Sequence, residues 1–582
     1  MLDSVTWIFG VGVVLSVLVG YGLGANDVAN MFGPSVGSRA LTMRQALLVA
    51  CVFEFLGAVL MGSGVAETIR SGITNIDYFY PQPEVLAYGM LCALAGTGVW
   101  MMIATYYGLP VSSTQAIVAS IAGMAIVAEG WTAVVWSAPK KSFPYLSGMS
   151  AIALSWLFSP ILAGGFSFLL FWAIRGLVLR RRNAYERSIY LLPAFTLITF
   201  FTVTWFIIAK GGPHYAWQNT PDATKAWISA VVAVGACLVS IFVGIPLLRR
   251  SVRLDLEADA AAAKGADADV GAAGGGGRGA RALAAVRGSA AWKTLNYGLD
   301  YDIHKVIETD ARVAEIHSSA EVFDRQAELS FKYLQVCTAC ANAFAHGSNE
   351  VANAIGPLAA IYQARGAEGV WRDSEVSAKN QVPSWLLAIG GAAICIGLAT
   401  FGYRVMQNMG VKMTRLTNSR GFCVEICVAA VVIIASRFGL PMSSTPATVG
   451  AIAGVGLWEG RAGFNGRLFA KFVAGWIVTI IAAVALTCAF MAQGLYSPSK
   501  TCTAERIQAA SYLNGTSNAV SEALAAAGGA LGNATWSAQA QDLTALTASQ
   551  QMPVNSLDGP LSTQGLALSY LANATAALMQ RQ

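Results

Sequence analysis

Gly24-Ala25-Asn26-Asp27-Val28-Ala29-Asn30-Met31-Phe32-Gly33-Pro34 lies near the start of the chain. It returns, little changed, as Gly347-Ser348-Asn349-Glu350-Val351-Ala352-Asn353-Ala354-Ile355-Gly356-Pro357. A second stretch follows each copy, Gly108-Leu109-Pro110-Val111-Ser112-Ser113-Thr114 and Gly439-Leu440-Pro441-Met442-Ser443-Ser444-Thr445. Two amides and a carboxylate, then three hydroxyls, thus occur in the same order in both halves. They sit inside apolar segments, where a polar side chain is costly unless it has a partner or a task.

Asn26 and Asn349 are 323 positions apart, and Ser112 and Ser443 are 331 apart. The halves are therefore duplicated units of similar internal spacing. Of the 582 residues, 55% are hydrophobic and 12% charged, with a mean hydropathy of +0.54. Soluble domains carry about 25% charged residues, so the composition reads as an all-α polytopic membrane protein. Apolar runs give about twelve transmembrane helices at about 20 residues each. The net charge of +6 is spread over loops and does not point to nucleic acid. Ten cysteines lie mostly in apolar segments and read as packing groups.

Four regions follow along the chain. Residues 1–248 form a first membrane half with repeat 1, and 330–495 a second half with repeat 2. Between them, 249–329 is a cytoplasmic linker, expected to be partly disordered because its middle is Ala/Gly-rich, with Gly274-Gly275-Gly276-Gly277. Residues 496–582 form an Ala/Ser/Thr-rich tail with glycosylation sequons at Asn514, Asn533 and Asn573, which places it outside or in a lumen. Both termini outside puts Arg39, Arg44, Arg180, Arg181, Arg182, Arg249, Arg250, Lys412 and Arg415 inside, in keeping with the positive-inside bias. The two copies then enter the membrane from opposite sides, so the repeats are inverted. The Gly-Pro end of one motif and the Gly-Leu-Pro start of the other predict broken or re-entrant helices, the sequence signature of a secondary transporter.

The residue types indicate the chemistry. A helix that begins at Ser112 or Ser443 within the membrane presents backbone N–H groups and a positive dipole end, which favours an oxyanion. Ser112, Ser113, Thr114, Ser443, Ser444 and Thr445 offer rotatable hydroxyls, and Asn30 and Asn353 offer amide donors, so these eight are the candidate anion site. Asp27 and Glu350, with Asn26 and Asn349, offer hard oxygen donors and suit a small cation. Glu54 and Glu425 also lie in apolar runs and are candidate coupling carboxylates: a third cation site, a proton site or a gate. They are not repeat mates, since the register of the Ser-Ser-Thr copies pairs Glu425 with Leu94. His346 reads as a capping or packing histidine, with a proton carrier as the alternative. No base stands near the serine runs in sequence, so an enzyme is not expected.

At these residues the chain resembles the inorganic phosphate transporter (PiT) family of sodium- or proton-coupled phosphate symporters. Glu54-Phe55-Leu56-Gly57 and Ala66-Glu67-Thr68-Ile69-Arg70 add to the likeness. The resemblance covers both membrane halves and leaves out the linker and tail. It implies a twelve-helix inverted-repeat fold, a homodimer, and both termini outside. It implies sodium as co-substrate, held by Asp27 and its neighbouring asparagines, with phosphate held by the Ser-Ser-Thr segments; no cofactor is implied. Two departures stand out. Family members usually carry Asp where this chain has Glu350, and many eukaryotic relatives have His where this chain has Gln115 and Pro446. The expectation is a sodium-coupled phosphate importer of the plasma membrane. Proton coupling, another oxyanion, or a phosphate sensor that does not transport are the alternatives.

Overall fold

The computed structural model describes residues 2–63, 65–66, 69, 72–79, 83–139, 145–210, 220–265, 301–365, 382–400, 402–437 and 442–496. The linker centre, the three sequons and tail, Gly439 to Pro441, and Glu67, Thr68 and Arg70 lie outside the described residues. The chain forms two compact units, Met1–Met491 and Ala492–Gln582, and the first holds both copies of both motifs.

That unit is helical. The first motif lies on α1 (Leu2–Gly37), followed by α2 (Met43–Met61), α3 (Pro83–Tyr106) and α4 (Ser113–Glu129). Next come α5 (Met149–Ile174), α6 (Ala184–Lys210), α7 (Asp222–Val239) and α8 (Ile245–Gly265). After the short α9 (Ala311–Ser319), the second motif lies on α10 (Arg325–Arg365). The chain continues through α11 (Ser384–Thr400), α12 (Tyr403–Gly410), α13 (Asn418–Arg437), α14 (Ser444–Gly456) and α15 (Gly466–Tyr496). By length and composition, seven helices among the described residues could cross a membrane, or eight if the bent pair α11 and α12 is one span. The expectation of about twelve counts α4, α10, α13 and α14 as well. Large apolar side chains such as Leu48, Phe158, Ile161 and Phe242 face outward, while Asp27, Glu54, Glu350 and Glu425 are buried. This polarity is the reverse of a water-soluble fold and suits lipid.

Helix packing is preserved when the halves are exchanged. α1 packs on α3 and α11, as α10 packs on α13 and α2. α1 meets α10, α2 meets α11, and the hairpin of α3 and α4 matches that of α13 and α14. The motif glycines permit this. A Cβ at Gly24 would strike the Ile394 carbonyl on α11, and one at Gly347 would strike the Glu54 carbonyl on α2. Small residues at such crossings let helix backbones close on each other.

One expectation is corrected. The Asn-Asp and Asn-Glu segments are not broken: α1 and α10 run unbroken through them, with Pro34 and Pro357 inside the helices. The polar side chains find partners across the fold, so the backbone need not unwind to satisfy them. Pro34 has no N–H for the Asn30 carbonyl one turn earlier. The Thr448 hydroxyl donates to that carbonyl at 3.2 Å instead. The Ser-Ser-Thr segments do start short helices inside the protein, and Ser112 caps α4 by accepting from the Gln115 N–H at 3.0 Å.

The linker is not merely a connector where it is described. Its start continues α8, and residues 301–324 fold against the membrane unit. His304 Nε2 meets the Gly37 carbonyl at 3.0 Å, and His317 Nε2 meets the Val411 carbonyl at 2.9 Å. The buried Arg420 donates to the Glu321 carbonyl at 3.0 Å and to Glu459 at 2.5 Å.

Candidate functional site

The asparagines divide the labour of assembly. The first of each motif ties its helix to the turn before the serines of its own half. Asn26 Nδ2 donates to the Leu109 carbonyl at 2.9 Å and to Thr105 Oγ1 at 3.1 Å, while Asn26 Oδ1 accepts from the Val111 N–H at 3.1 Å. Asn349 Nδ2 donates to the Met442 carbonyl at 3.0 Å. The second asparagine of each motif crosses to the other half. Asn30 donates to Thr445 at 2.8 Å and Ser444 at 3.4 Å; Asn353 donates to Thr114 at 3.1 Å and Ser113 at 3.3 Å. Exchanging the halves turns one set of contacts into the other. Ser112 and Ser443 meet each other at 2.6 Å, Oγ to Oγ.

The carboxylates sit among these hydroxyls. Asp27 accepts from Ser113 at 3.0 Å, Thr445 at 3.3 Å and Asn30 at 3.0 Å. Glu350 accepts from Ser113 at 2.7 Å, Ser444 at 3.0 Å, Asn353 at 2.5 Å and Asn349 at 3.3 Å. Ser113 therefore stands between two acids, yet a hydroxyl has one proton to give. Both acids are fully buried. Two such acids sharing one donor make a place that a hard cation would satisfy. Asn30 Oδ1, buried and without a hydrogen-bond partner, adds a further oxygen donor.

The structure thus brings together Asn26, Asp27, Asn30, Ser112, Ser113, Thr114, Asn349, Glu350, Asn353, Ser443, Ser444 and Thr445. It sets Glu54 and Glu425 apart from that centre and in different surroundings. Glu54 pairs with His346 Nδ1 at 2.9 Å. His346, Asp27 and Glu350 each offer one ligand atom within 4.8 Å of the others, so Glu54 touches the centre through the imidazole. Glu425 accepts from Ser35 at 2.5 Å, Thr338 at 2.9 Å and Gln335 at 3.3 Å. Sequence reasoning missed Thr105, Thr448, Ser35, Gln335 and Thr338. Each is a polar side chain in an apolar run, which is the one signal that marked them.

A model described as the Phosphate transporter family matches residues 23–487. The chain is 29% identical over 578 residues to the phosphate-repressible phosphate permease of Neurospora crassa, covering 82% of this chain and 96% of the relative. It is 33% identical over 483 residues to the chloroplastic inorganic phosphate transporter 2-1 of Arabidopsis thaliana, covering 82% and 70%. A solved structure, described as the sodium-dependent phosphate transporter, matches with a TM-score of 0.62 and 31% identity, covering 83% of this chain and 98% of that one.

Proposed function

This chain belongs to the phosphate transporter family, and we propose that it is a sodium-coupled inorganic phosphate symporter working by alternating access. The observation that carries this reading is the exchange of hydroxyls between the halves around two buried carboxylates. The two halves would rock about Ser112 and Ser443, as twelve helices in inverted repeats, with the site at their interface. Both termini outside, a plasma-membrane setting and a homodimer complete the proposal. Likeness to a sodium-dependent phosphate transporter at 31% identity favours sodium as the coupling ion.

Donor competition would supply the coupling. Each motif hydroxyl has one proton, and in this structure Ser113, Ser444 and Thr445 lie within reach of Asp27 or Glu350. A hydroxyl bound to a carboxylate cannot donate to phosphate. Sodium on the carboxylate takes over its charge and frees the hydroxyl to turn toward the anion. Cations therefore bind before phosphate, and removing them leaves the anion without donors. Charge arithmetic agrees: moving one charge across 100 mV is worth about 2.3 kcal/mol, so a divalent anion entering a negative interior needs at least two cations. Glu425, which accepts from Ser35, Gln335 and Thr338, would serve a further cation beside the same helix α1.

A second reading, proton coupling, is favoured by His346, which lies in one cluster with Asp27 and Glu350 and pairs with Glu54. Radiolabelled phosphate uptake into proteoliposomes decides between them. Uptake that collapses when choline replaces sodium at fixed pH supports the sodium reading. Uptake that persists and follows a pH gradient supports protons. Binding without uptake overturns transport.

A further inference from the structure

The folded-back linker borders a half-open cavity that the motifs do not line. It has a volume of about 530 Å³ and lies between residues 304–328, the end of α1 and the turn before α13. Arg39, Arg325 and Arg415 line it, with His304 and His317, against one lining carboxylate among the described residues, Glu328. That carboxylate is already committed: it accepts from the Ser419 N–H at 2.9 Å and the Ser419 hydroxyl at 2.7 Å, capping α13. Asn418 also lines the cavity; it is 6% exposed, and its Oδ1 has no hydrogen-bond partner. Ile307, Val322 and Phe323 give the cavity an apolar wall. Burial, and then the charges of Arg415, His304 and Arg39, hold the His317 imidazole below its ordinary value, against the Val411 carbonyl that pulls it up.

A polar track leads from this cavity to Glu425, beside the end of α1. Ser38, in the cavity wall, donates to Gln335 at 2.8 Å, and Gln335 donates to Glu425 at 3.3 Å. Ser35 reaches the same Glu425 oxygen. From Asn30 to Ser38 the distance along α1 is about 12 Å at 1.5 Å per residue.

We propose that this cavity is a second oxyanion site, which holds a phosphoryl group among Arg39, Arg325 and Arg415. Guanidinium groups match phosphate oxygens in geometry as well as charge. The orphaned Asn418 Oδ1 is an acceptor, and a phosphate that keeps one P–OH can donate to it. Sulfate at neutral pH has no such proton, so the site selects phosphate over sulfate. The phosphoryl group comes either from free phosphate on its way along α1 or from an organic phosphate whose remainder lies on the apolar wall. The choice of phosphate as ligand rests on the transport reading; the arginine cavity does not.

The test is equilibrium binding of radiolabelled inorganic phosphate to the full-length protein in nanodiscs, with sodium present to fill the cation sites and no other added salt. Two phosphates per chain are expected. Arg39→Gln with Arg415→Gln should weaken one of them at least tenfold, and Ser112→Ala with Ser443→Ala should weaken the other. Arg39→Gln alone changes an exposed side chain and serves if the double variant fails to fold. Asn418→Ala should narrow the preference for phosphate over sulfate. A single bound phosphate that ignores the arginine variants overturns the cavity site and leaves the transport reading standing. A single bound phosphate lost with the arginines but not the serines does the reverse. Pyrophosphate and ATP form the remaining arms. Tighter binding of ATP, lost in Arg39→Gln, assigns the site to an organic phosphate, and tighter inorganic phosphate assigns it to the transported ion.

Discussion

The hydroxyl oxygens of Ser112 and Ser443 lie 2.6 Å apart, although 331 residues separate them. Each begins the short helix of its own half, so the contact fixes how the two helix starts face each other. In the proposed cycle this is where the halves meet around the anion. A hydrogen bond to a charged group is worth about 1.5–3 kcal/mol. Ser112→Ala with Ser443→Ala is therefore expected to raise the half-saturating phosphate concentration by at least roughly tenfold in proteoliposome uptake. An unchanged value would remove the anion clamp.

Asp27→Asn keeps the shape of the side chain and removes its charge. Asn is able to hold the contacts to Ser113 and Thr445, so the protein should fold and elute as the parent does. Sodium-driven uptake should vanish. Uptake at the parental rate would show that Asp27 is no cation ligand.

Ser113 is the donor shared between Asp27 and Glu350, at 3.0 and 2.7 Å. If coupling works by donor competition, Ser113→Ala removes a hydroxyl that sodium would otherwise release. Phosphate affinity should fall, and what remains should depend less steeply on sodium. Phosphate binding isotherms at several sodium concentrations measure this. A lower affinity with the full sodium dependence retained would show that Ser113 binds phosphate without coupling it.

Glu350 holds four donors with a side chain one methylene longer than aspartate. Glu350→Asp draws the carboxylate back toward α10 and away from Ser113 and Ser444. Withdrawing the carboxylate takes a charged oxygen ligand away from the cation; a loss of about 1.4 kcal/mol predicts roughly a tenfold higher sodium requirement. Sodium titration of uptake reads it directly, and a lower requirement would mean that the longer side chain was not fitted to this cage.

Glu321 fastens the folded linker. Burial raises its carboxyl, but hydrogen bonds from Arg180 and Arg175 outweigh this and hold it below the ordinary 4.5. A depressed carboxyl stabilises the docked form fully above that value, and the stabilisation is lost as pH falls from there through the lowered one. Limited proteolysis within 301–324 should therefore quicken below about pH 4.5. Glu321→Gln should cut faster at neutral pH and lose the pH step. An unchanged digestion pattern would remove this pair from the docking.

Much of the fold and site was legible in the chain. Asn26, Asp27, Ser112, Ser113 and their second copies stood out because a polar group in an apolar run has few reasons to be there. The duplication then said that any site would be built twice. Glu54 and Glu425 were visible as acids in apolar runs for the same reason, and both are buried. The unbroken course of α1 was not legible. A Gly-Pro end reads as a break locally, and nothing near it in sequence announces that Thr448 will supply the missing donor to Asn30.

The sequence by itself determined which residue types recur and in what order, and hence which donors and acceptors the candidate site offers. Tertiary structure alone decided who partners whom: that Asn30 and Asn353 cross between halves while Asn26 and Asn349 stay within them, that Glu54 meets His346, and that the linker folds back over the end of α1. The reason is physical. Composition and period act along the chain and are written in neighbours, whereas hydrogen bonds between residues hundreds of positions apart depend on how closely helices approach. That approach is set at Gly24 and Gly347 by the absence of a side chain.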